Sequence, residues 1–168
     1  MHQRIMHGQC YRRGNGQPYT RKEYIKGKPQ IKIAKFHGGQ KGKYDFSVQL
    51  LLNEKLQIRH MAIESTRLAA NKTLEKTVGE TGYWSRLRIY PHVLLRENKM
   101  IAAAGADRLQ EGMRRAFGKA VSLGARVIAG QIIMEMHVKK EHVDAATKAL
   151  KSACVKLPGT AKINVIKL

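Results

Sequence analysis

The amino-acid sequence predicts a two-layer α/β sandwich of the α+β type, in which helices pack on a sheet. Apolar residues follow strand, helix, strand spacing twice along the chain. A long basic insert separates these two β-α-β units, and a basic, irregular segment rich in glycine precedes them. The 168 residues are enough for one compact domain with a real hydrophobic core.

The first β-α-β unit begins with "YDFSVQLLLN" (44–53), where every second side chain is apolar, as in a strand with one buried face. Apolar residues then recur at helical spacing over 62–79, and the mixed charges between them form an ordinary solvated face. "YWSRLRIY" (83–90) alternates again, and Pro91 either ends this strand or limits it to an edge.

The second β-α-β unit begins with "RVIAGQIIMEMHV" (126–138), a strand in which Gly130 marks a candidate bulge. "EHVDAATKALKSACVKL" (141–157) is the clearest helix, because its apolar residues recur at spacings of three and four. Pro158 stops that helix, and "AKINVIKL" (161–168) predicts a closing strand.

The insert covers residues 96–125, and a structureless loop longer than ~15 residues inside a compact domain is usually functional or disordered. Gly105 and Gly112 weaken its helical potential, and its apolar side chains form only a thin stripe. We therefore expect a flexible basic arm with at most a short helical turn. The arm belongs to a core domain of residues 44–168.

One stretch of the insert, "GMRRAFGKA" (112–120), is close to a nucleotide-binding phosphate loop. That loop needs four residues between its glycines, a hydroxyl after the lysine, and a helix that begins at the loop. Here five residues separate Gly112 from Gly118, and Ala120 follows the lysine. The residues that follow predict a loop and then a strand, so a nucleotide site is excluded and the basic cluster has another purpose.

The formal net charge is +20, and it is unevenly spread. It amounts to +10 over residues 1–43, zero over 44–85, +6 over 86–126 and +4 over 127–168. The positive charges of such a domain repel one another unless the domain binds a polyanion. Nucleic acid is the leading candidate for this partner. A membrane partner is disfavoured, because the basic segments lack amphipathic periodicity and no apolar run approaches ~18 residues.

Residues 1–43 predict an N-terminal arm that contacts RNA, with rings that stack and cations that meet phosphate. The alternative is a solvated tail with a few anchors onto the domain, and the +10 charge favours the arm. Two arginines on one face of strand 83–90 are also expected to meet phosphate, although a salt-bridge partner is possible. The predicted RNA-binding residues are Arg12, Arg13, Tyr19, Arg21, Lys22, Tyr24, Lys26, Lys28, Lys32, Lys35, Lys41, Lys43, Arg86 and Arg88.

No catalytic or metal-binding constellation is visible in the sequence. Cys10 and Cys154 are far apart, and the histidines are scattered without metal-ligand spacing. The pairs Glu97 with Asp107 and Glu135 with His137 have no arrangement that marks acid–base chemistry, so salt bridges to neighbouring cations are expected. We predict no enzyme activity, cofactor, metal or small-molecule substrate. Free thiols without a secretion signal fit a reducing cytoplasm.

Two long stretches, "YTRKEYIKGKP" (19–29) and "LRENKMIAAAGADRLQEGMRRAFGK" (95–119), together with the β-α-β frame, resemble a ribosomal protein family. This is the archaeal and eukaryotic large-subunit family L ten e, the counterpart of bacterial L sixteen. The resemblance extends from about residue 11 to the end of the chain. It implies a two-layer α/β fold that sits on large-subunit rRNA with neighbouring ribosomal proteins, beside the aminoacyl-tRNA site.

The resemblance also implies that the insert points toward the peptidyl-transferase centre and helps to position aminoacyl-tRNA. Its arm residues are then Arg96, Lys99, Arg108, Arg114, Arg115 and Lys119. Two other classes stay open at this point. One is a free-standing RNA-binding or ribosome assembly factor of the same fold, and the other is an RNA-modifying enzyme, which needs a cofactor loop that the sequence lacks.

Overall fold

A computed structural model describes residues 8–14, 16–18, 25–99 and 112–168 of the chain. The described residues contain two α-helices, α1 (His60–Val78) and α2 (Val143–Cys154), and three short 3₁₀ turns at Gly8–Tyr11, Gly112–Arg115 and Lys140–His142. They also contain eight strands: β1 (His37–Gly39), β2 (Phe46–Leu52), β3 (Leu56–Arg59), β4 (Tyr83–Leu87), β5 (Val93–Glu97), β6 (Lys119–Val127), β7 (Ile132–Val138) and β8 (Ala161–Lys167).

A five-stranded antiparallel sheet forms the main layer, in the order β1-β4-β7-β2-β8. The mixed α/β class expected from the sequence is therefore correct. The two predicted β-α-β units are not separate, because β7 pairs between β2 and β4, and β2 pairs between β7 and β8. Each unit thus places a strand between the two strands of the other unit, an arrangement that sequence spacing does not reveal.

The two helices lie side by side on one face of this sheet. Helix α1 buries Ile63 and Leu74, and α2 buries Leu150. They pack with Val48 of β2 and Met136 of β7 in one hydrophobic core. Burying a side chain of this size contributes roughly 1.5–3 kcal/mol to folding, so this layer provides the rigid support for everything on the opposite face.

A second, three-stranded sheet has the order β3-β6-β5, and it corrects the description of the insert. Arg96 and Glu97 end β5, and Lys119–Val127 form β6, so both ends of the range 96–125 are strand rather than flexible loop. The run from Ser122 to Ala125 is buried, so it lacks the alternation that identifies a half-exposed strand. Residues 100–111, the middle of the predicted insert, lie outside the described residues.

The predicted strand over 126–138 is also corrected. Its first residues end β6, and its last seven form β7. The expected bulge at Gly130 is a turn between these strands, where the glycine has φ 79°. A positive φ of this kind strains residues with a side chain, which explains a glycine at this position.

Part of the predicted N-terminal arm belongs to the folded layers. Strand β1 pairs with β4, and the amide of Leu87 donates a 2.8 Å hydrogen bond to the carbonyl of Phe36. Ile33 is buried in the core, and Ile31 packs against it. The expectation that residues 1–43 are irregular is therefore wrong for this stretch. The division of the chain into an arm and a core domain stays a prediction.

Candidate nucleic-acid interface

The N-terminal residues from Gly8 to Gly14 lie against β3 of the smaller sheet. The backbone N–H of Gln57 donates a 2.8 Å hydrogen bond to the backbone carbonyl of Arg12. The side-chain Nε2 of Gln57 donates a 2.9 Å hydrogen bond to the backbone carbonyl of Tyr11. The Tyr11 hydroxyl donates to Glu97 Oε2 at 3.2 Å. Burial, reinforced by Glu97, raises the pKa of Tyr11 to about 12. Both backbone and side-chain groups of this segment therefore form hydrogen bonds with the domain.

Two arginines complete this anchor. Arg12, a predicted rRNA contact, places Nη2 3.3 Å from Glu54 Oε2, so this cation has a partner within the protein. Arg126 was not among the predicted site residues, although it donates through Nε to Gln57 Oε1 at 3.2 Å and through Nη1 to the Gly16 carbonyl at 2.5 Å. Only the tertiary contact distinguishes Arg126 from the other arginines of the chain.

Most of the predicted rRNA-binding cations that the structure describes are exposed. These are Arg13, Lys26, Lys28, Lys32, Lys35, Lys41, Lys43 and Arg88, whereas Arg86 is half-buried. Tyr19, Arg21, Lys22 and Tyr24 lie outside the described residues, and so does Arg108 of the predicted arm. Exposed lysines and arginines are available for phosphate contacts, which supply most of the sequence-independent affinity for nucleic acid.

A tip formed by residues 112–119 carries the basic cluster of the insert. Its side chains Met113, Arg114, Arg115, Phe117 and Lys119 are all exposed, with Met113 77% and Phe117 60% accessible. Lys119 begins strand β6 and not a helix, which agrees with the exclusion of a nucleotide-binding loop. A helix N-terminus is what such a loop uses to hold phosphate.

Arg96 supports this tip from below. Its Nη1 donates a 3.0 Å hydrogen bond to the Gly118 carbonyl, and its guanidinium carbon lies 4.5 Å from the centre of the Phe117 ring. Gly118 has φ 72°, and a Cβ there would lie 2.3 Å from the carbonyl carbon of Glu97. The guanidinium of Arg96 therefore helps to shape the tip, and its contact with RNA stays a prediction.

The face of the five-stranded sheet opposite the helices is polar and aromatic. Cross-strand register places His37 beside Arg86, and it places Trp84 beside His137. The rings of His37, Trp84 and His137, called here the ring row, lie next to one another: His37 stacks on Trp84, and His137 lies tilted against Trp84. The His37 and Trp84 centroids lie 5.9 Å apart at an interplanar angle of 5°, and those of Trp84 and His137 lie 4.8 Å apart at 33°.

Charged groups surround the ring row. Arg88 Nη1 lies 3.5 Å from Glu135 Oε1, so the salt-bridge alternative considered for this arginine is present. Burial lowers the pKa of His137, as do Arg86 and Arg88, while Glu135, whose Oε1 lies 3.8 Å from His137 Nε2, opposes this shift. The salt bridge expected for Glu135 is therefore present, with Arg88 as its partner.

The described residues also bear on the predictions about metal binding, membrane association and cysteines. Within the described ranges, no group of three or more metal-ligating side chains lies close enough to hold an ion. Among the helices in that part of the chain, none is both long and apolar enough to cross a membrane. Both cysteines are free thiols, with Cys10 exposed and Cys154 packed against the core.

Comparison with known proteins decides the family. The sequence profile described as "Ribosomal protein L16p/L10e" matches residues 15–164. The chain belongs to the L16p/L10e family of ribosomal proteins. As a member of this family it is a structural constituent of the large ribosomal subunit, acts in translation on cytoplasmic ribosomes, and is not an enzyme.

Several relatives named "Large ribosomal subunit protein uL16" agree over nearly the whole chain. The protein of Staphylothermus marinus is 54% identical over 155 residues, which cover 92% of this chain and 89% of the relative. That of Hyperthermus butylicus is also 54% identical, with 92% and 86% covered. That of Saccharolobus islandicus is 51% identical over 164 residues, with 96% and 92% covered. The resemblance read from the two sequence stretches is therefore confirmed.

Proposed function

We propose that this L16p/L10e family member binds large-subunit rRNA through its exposed cations and helps to position aminoacyl-tRNA through the tip at residues 112–119. Family membership supports association with the large subunit, with its rRNA and with other ribosomal proteins. The specific contacts with rRNA and tRNA are the proposed part.

One observation carries the tRNA part of the proposal. The tip presents Arg114, Arg115 and Lys119 to solvent, while Arg96 fixes the tip from the protein side. A cluster held in this way keeps its cations at the surface, where long side chains can reach several phosphates. Phosphate contacts position a protein on RNA without reading base sequence, which suits a component that must accept every tRNA.

The rRNA part depends on the distribution of exposed charge. The balanced segment 44–85 carries no net charge, whereas the flanking segments carry +10 and +6. We therefore expect the polyanion to meet mainly the exposed cations of the two flanking segments. Because Arg12 and Arg88 have carboxylate partners within the protein, we expect smaller effects from their loss than from the loss of Lys26 or Lys41.

Rebinding to large subunits tests the proposal. Subunits stripped of their resident copy are mixed with the purified chain and sedimented at increasing salt. We expect one copy per subunit at low salt and release only at high salt, because each neutralised phosphate contributes about −0.9 to the log–log salt slope on duplex DNA and about −0.7 on single strands. A slope of several units is expected from the number of exposed cations.

The same sedimentation experiment, run with mature and precursor subunits, distinguishes a structural component from an assembly factor. A structural component stays with mature subunits, whereas an assembly factor associates with precursors and leaves the mature particle. Affinity that does not change between low and moderate salt would contradict the phosphate contacts. Binding to mature subunits in less than stoichiometric amounts would favour the assembly factor.

A further inference from the structure

The ring row lies on the face of the five-stranded sheet that the helices do not cover. Register relates its members across the sheet: Trp84 of β4 pairs with His137 of β7, and His37 of β1 lies one row away beside Arg86. Helices α1 and α2 pack on the other face, where Ser85 Oγ donates to Asn71 Oδ1 of α1 at 3.2 Å. The rings are therefore held by the sheet and supported by the core beneath it.

Exposure increases along the row from one end to the other. The His137 side chain is only 14% accessible, Trp84 is half-buried, and His37 is exposed. An accessible flat ring at the end of a supported stack is the arrangement that single-stranded nucleic acid uses, because a base can extend the stack whatever its identity.

The charges beside the row are those that a nucleotide needs. Arg86 is the cross-strand partner of His37, and Lys35 precedes His37 by two residues and is exposed. The Glu135 carboxylate, which lies beside His137, is 8% accessible and paired with Arg88. Positive groups therefore dominate the described rim of the row, which favours a phosphate-bearing ligand over a basic or apolar peptide.

We propose that the ring row is a stacking site for an unpaired nucleobase of large-subunit rRNA, in which the base extends the stack from His37 and Arg86 and Lys35 contact the adjoining phosphates. This inference rests on the proposed rRNA binding and specifies one contact within it. It predicts that part of the RNA affinity depends on the bases and resists salt, unlike the contribution of the lysines.

The chain provides its own probe, because Trp84 is its only tryptophan and lies in the middle of the row. Full-length protein is titrated with a 12-nucleotide single-stranded RNA and, separately, with a 12-unit abasic strand that has the same phosphates but no bases. We expect the RNA to quench and shift the Trp84 emission, and the abasic strand to bind more weakly without this spectral change.

Three variants assign the contact. His37→Ala should weaken binding of the 12-nucleotide RNA by roughly 5- to 100-fold, the range measured when one stacking ring is removed. It should leave binding of the abasic strand unchanged. His37→Tyr retains a flat ring and should restore most of the loss. His92→Ala removes another exposed histidine, outside the ring row, and should behave like the wild type.

The outcomes separate the inference from the function on which it rests. If the RNA and the abasic strand bind equally well, with no change in Trp84 emission and no effect of His37→Ala, the stacking site is wrong, while salt-dependent phosphate binding and the proposed function stand. The ring row would then be assigned to a neighbouring protein. If neither strand binds at any salt concentration, the proposed rRNA contact and the stacking site fail together.

Discussion

At the residue scale, His60 joins three parts of the chain inside the protein. It is buried at the start of α1, where Nδ1 accepts a 3.4 Å hydrogen bond from the Lys32 amide, and Nε2 lies 3.3 Å from Ser122 Oγ of β6. Burial lowers the pKa of His60, and the nearby Lys32 and Arg59 lower it further. The neutral ring is therefore the form that holds the N-terminal segment against the domain.

His60 should make the protein less stable in mild acid. The unfolded chain binds a proton at an imidazole pKa of about 6.5, and the folded chain binds it only at lower pH. Between these two values the unfolded state holds more protons, so the free energy of unfolding falls as the pH falls below about 6.5. Thermal melts of the isolated protein at pH 7.5 and pH 5.5 measure this loss as a lower Tm.

The variant His60→Asn isolates this contribution. Asparagine keeps an acceptor for the Lys32 amide but does not titrate, so the Tm of the variant should change less between the two pH values. His137, whose pKa is also lowered, titrates in both proteins and cancels in the comparison. An equal drop in Tm for the wild type and His60→Asn would show that His60 does not cause the acid sensitivity.

At the element scale, the tip should serve tRNA and not the stability of the fold. Replacing Arg114, Arg115 and Lys119 together by alanine removes three exposed cations, and exposed changes usually alter stability by no more than about 0.5 kcal/mol each. The Tm of the free protein should stay nearly unchanged. Large subunits carrying this variant should assemble but accommodate aminoacyl-tRNA more slowly, measured by pre-steady-state kinetics.

Two controls locate the effect. Replacing Lys140, Lys148 and Lys151 by alanine makes the same change in charge on and beside α2, and should leave accommodation at the wild-type rate. Arg96→Ala removes the hydrogen bond to Gly118 and the contact with Phe117, so it should lower stability by roughly 1–3 kcal/mol. If the tip variant has wild-type accommodation kinetics and an unchanged Tm, the three cations interact only with solvent and the predicted role in tRNA accommodation is wrong.

At the scale of the whole molecule, the charged N-terminal region and the folded layers should differ in their resistance to protease. Lys26 and Lys28 are exposed and flank Gly27, a turn position with φ 67° and no atom within 4 Å of where its Cβ would be. Exposed segments with few contacts are cut first. Trypsin should therefore cleave the free protein after Lys26 before it cleaves at Lys72 or Lys76 of α1, whereas Pro29 blocks cleavage after Lys28.

Binding to the large subunit should protect the N-terminal region from trypsin. If the N-terminal region contacts rRNA, Lys26 becomes protected when the stripped subunits are refilled. Mass spectrometry of the early fragments measures both states, and the exposed Lys148 on α2 is an internal comparison. Equal cleavage at Lys26 in free and bound protein would contradict an rRNA contact at this position.

The sequence by itself determined the features that depend on neighbouring residues. Apolar residues at every second position predicted β2, and apolar residues at spacings of three and four predicted α1 and α2. These patterns can be read locally, because side chains return to the same face every second residue in a strand and every three or four residues in a helix. Net charge indicated a polyanionic partner. The two long stretches at 19–29 and 95–119 indicated the family, which the match over residues 15–164 confirmed.

Only the tertiary structure decided which strands are neighbours and which side chains share a surface. Strand β6 is not predicted because burial leaves it no polar face to alternate with. The contacts of Arg96 within the tip are not predicted because its partners are 21 and 22 residues away. His37, Trp84 and His137 carry no common sequence signal. They meet because strand register is set by long-range pairing, which local periodicity does not encode.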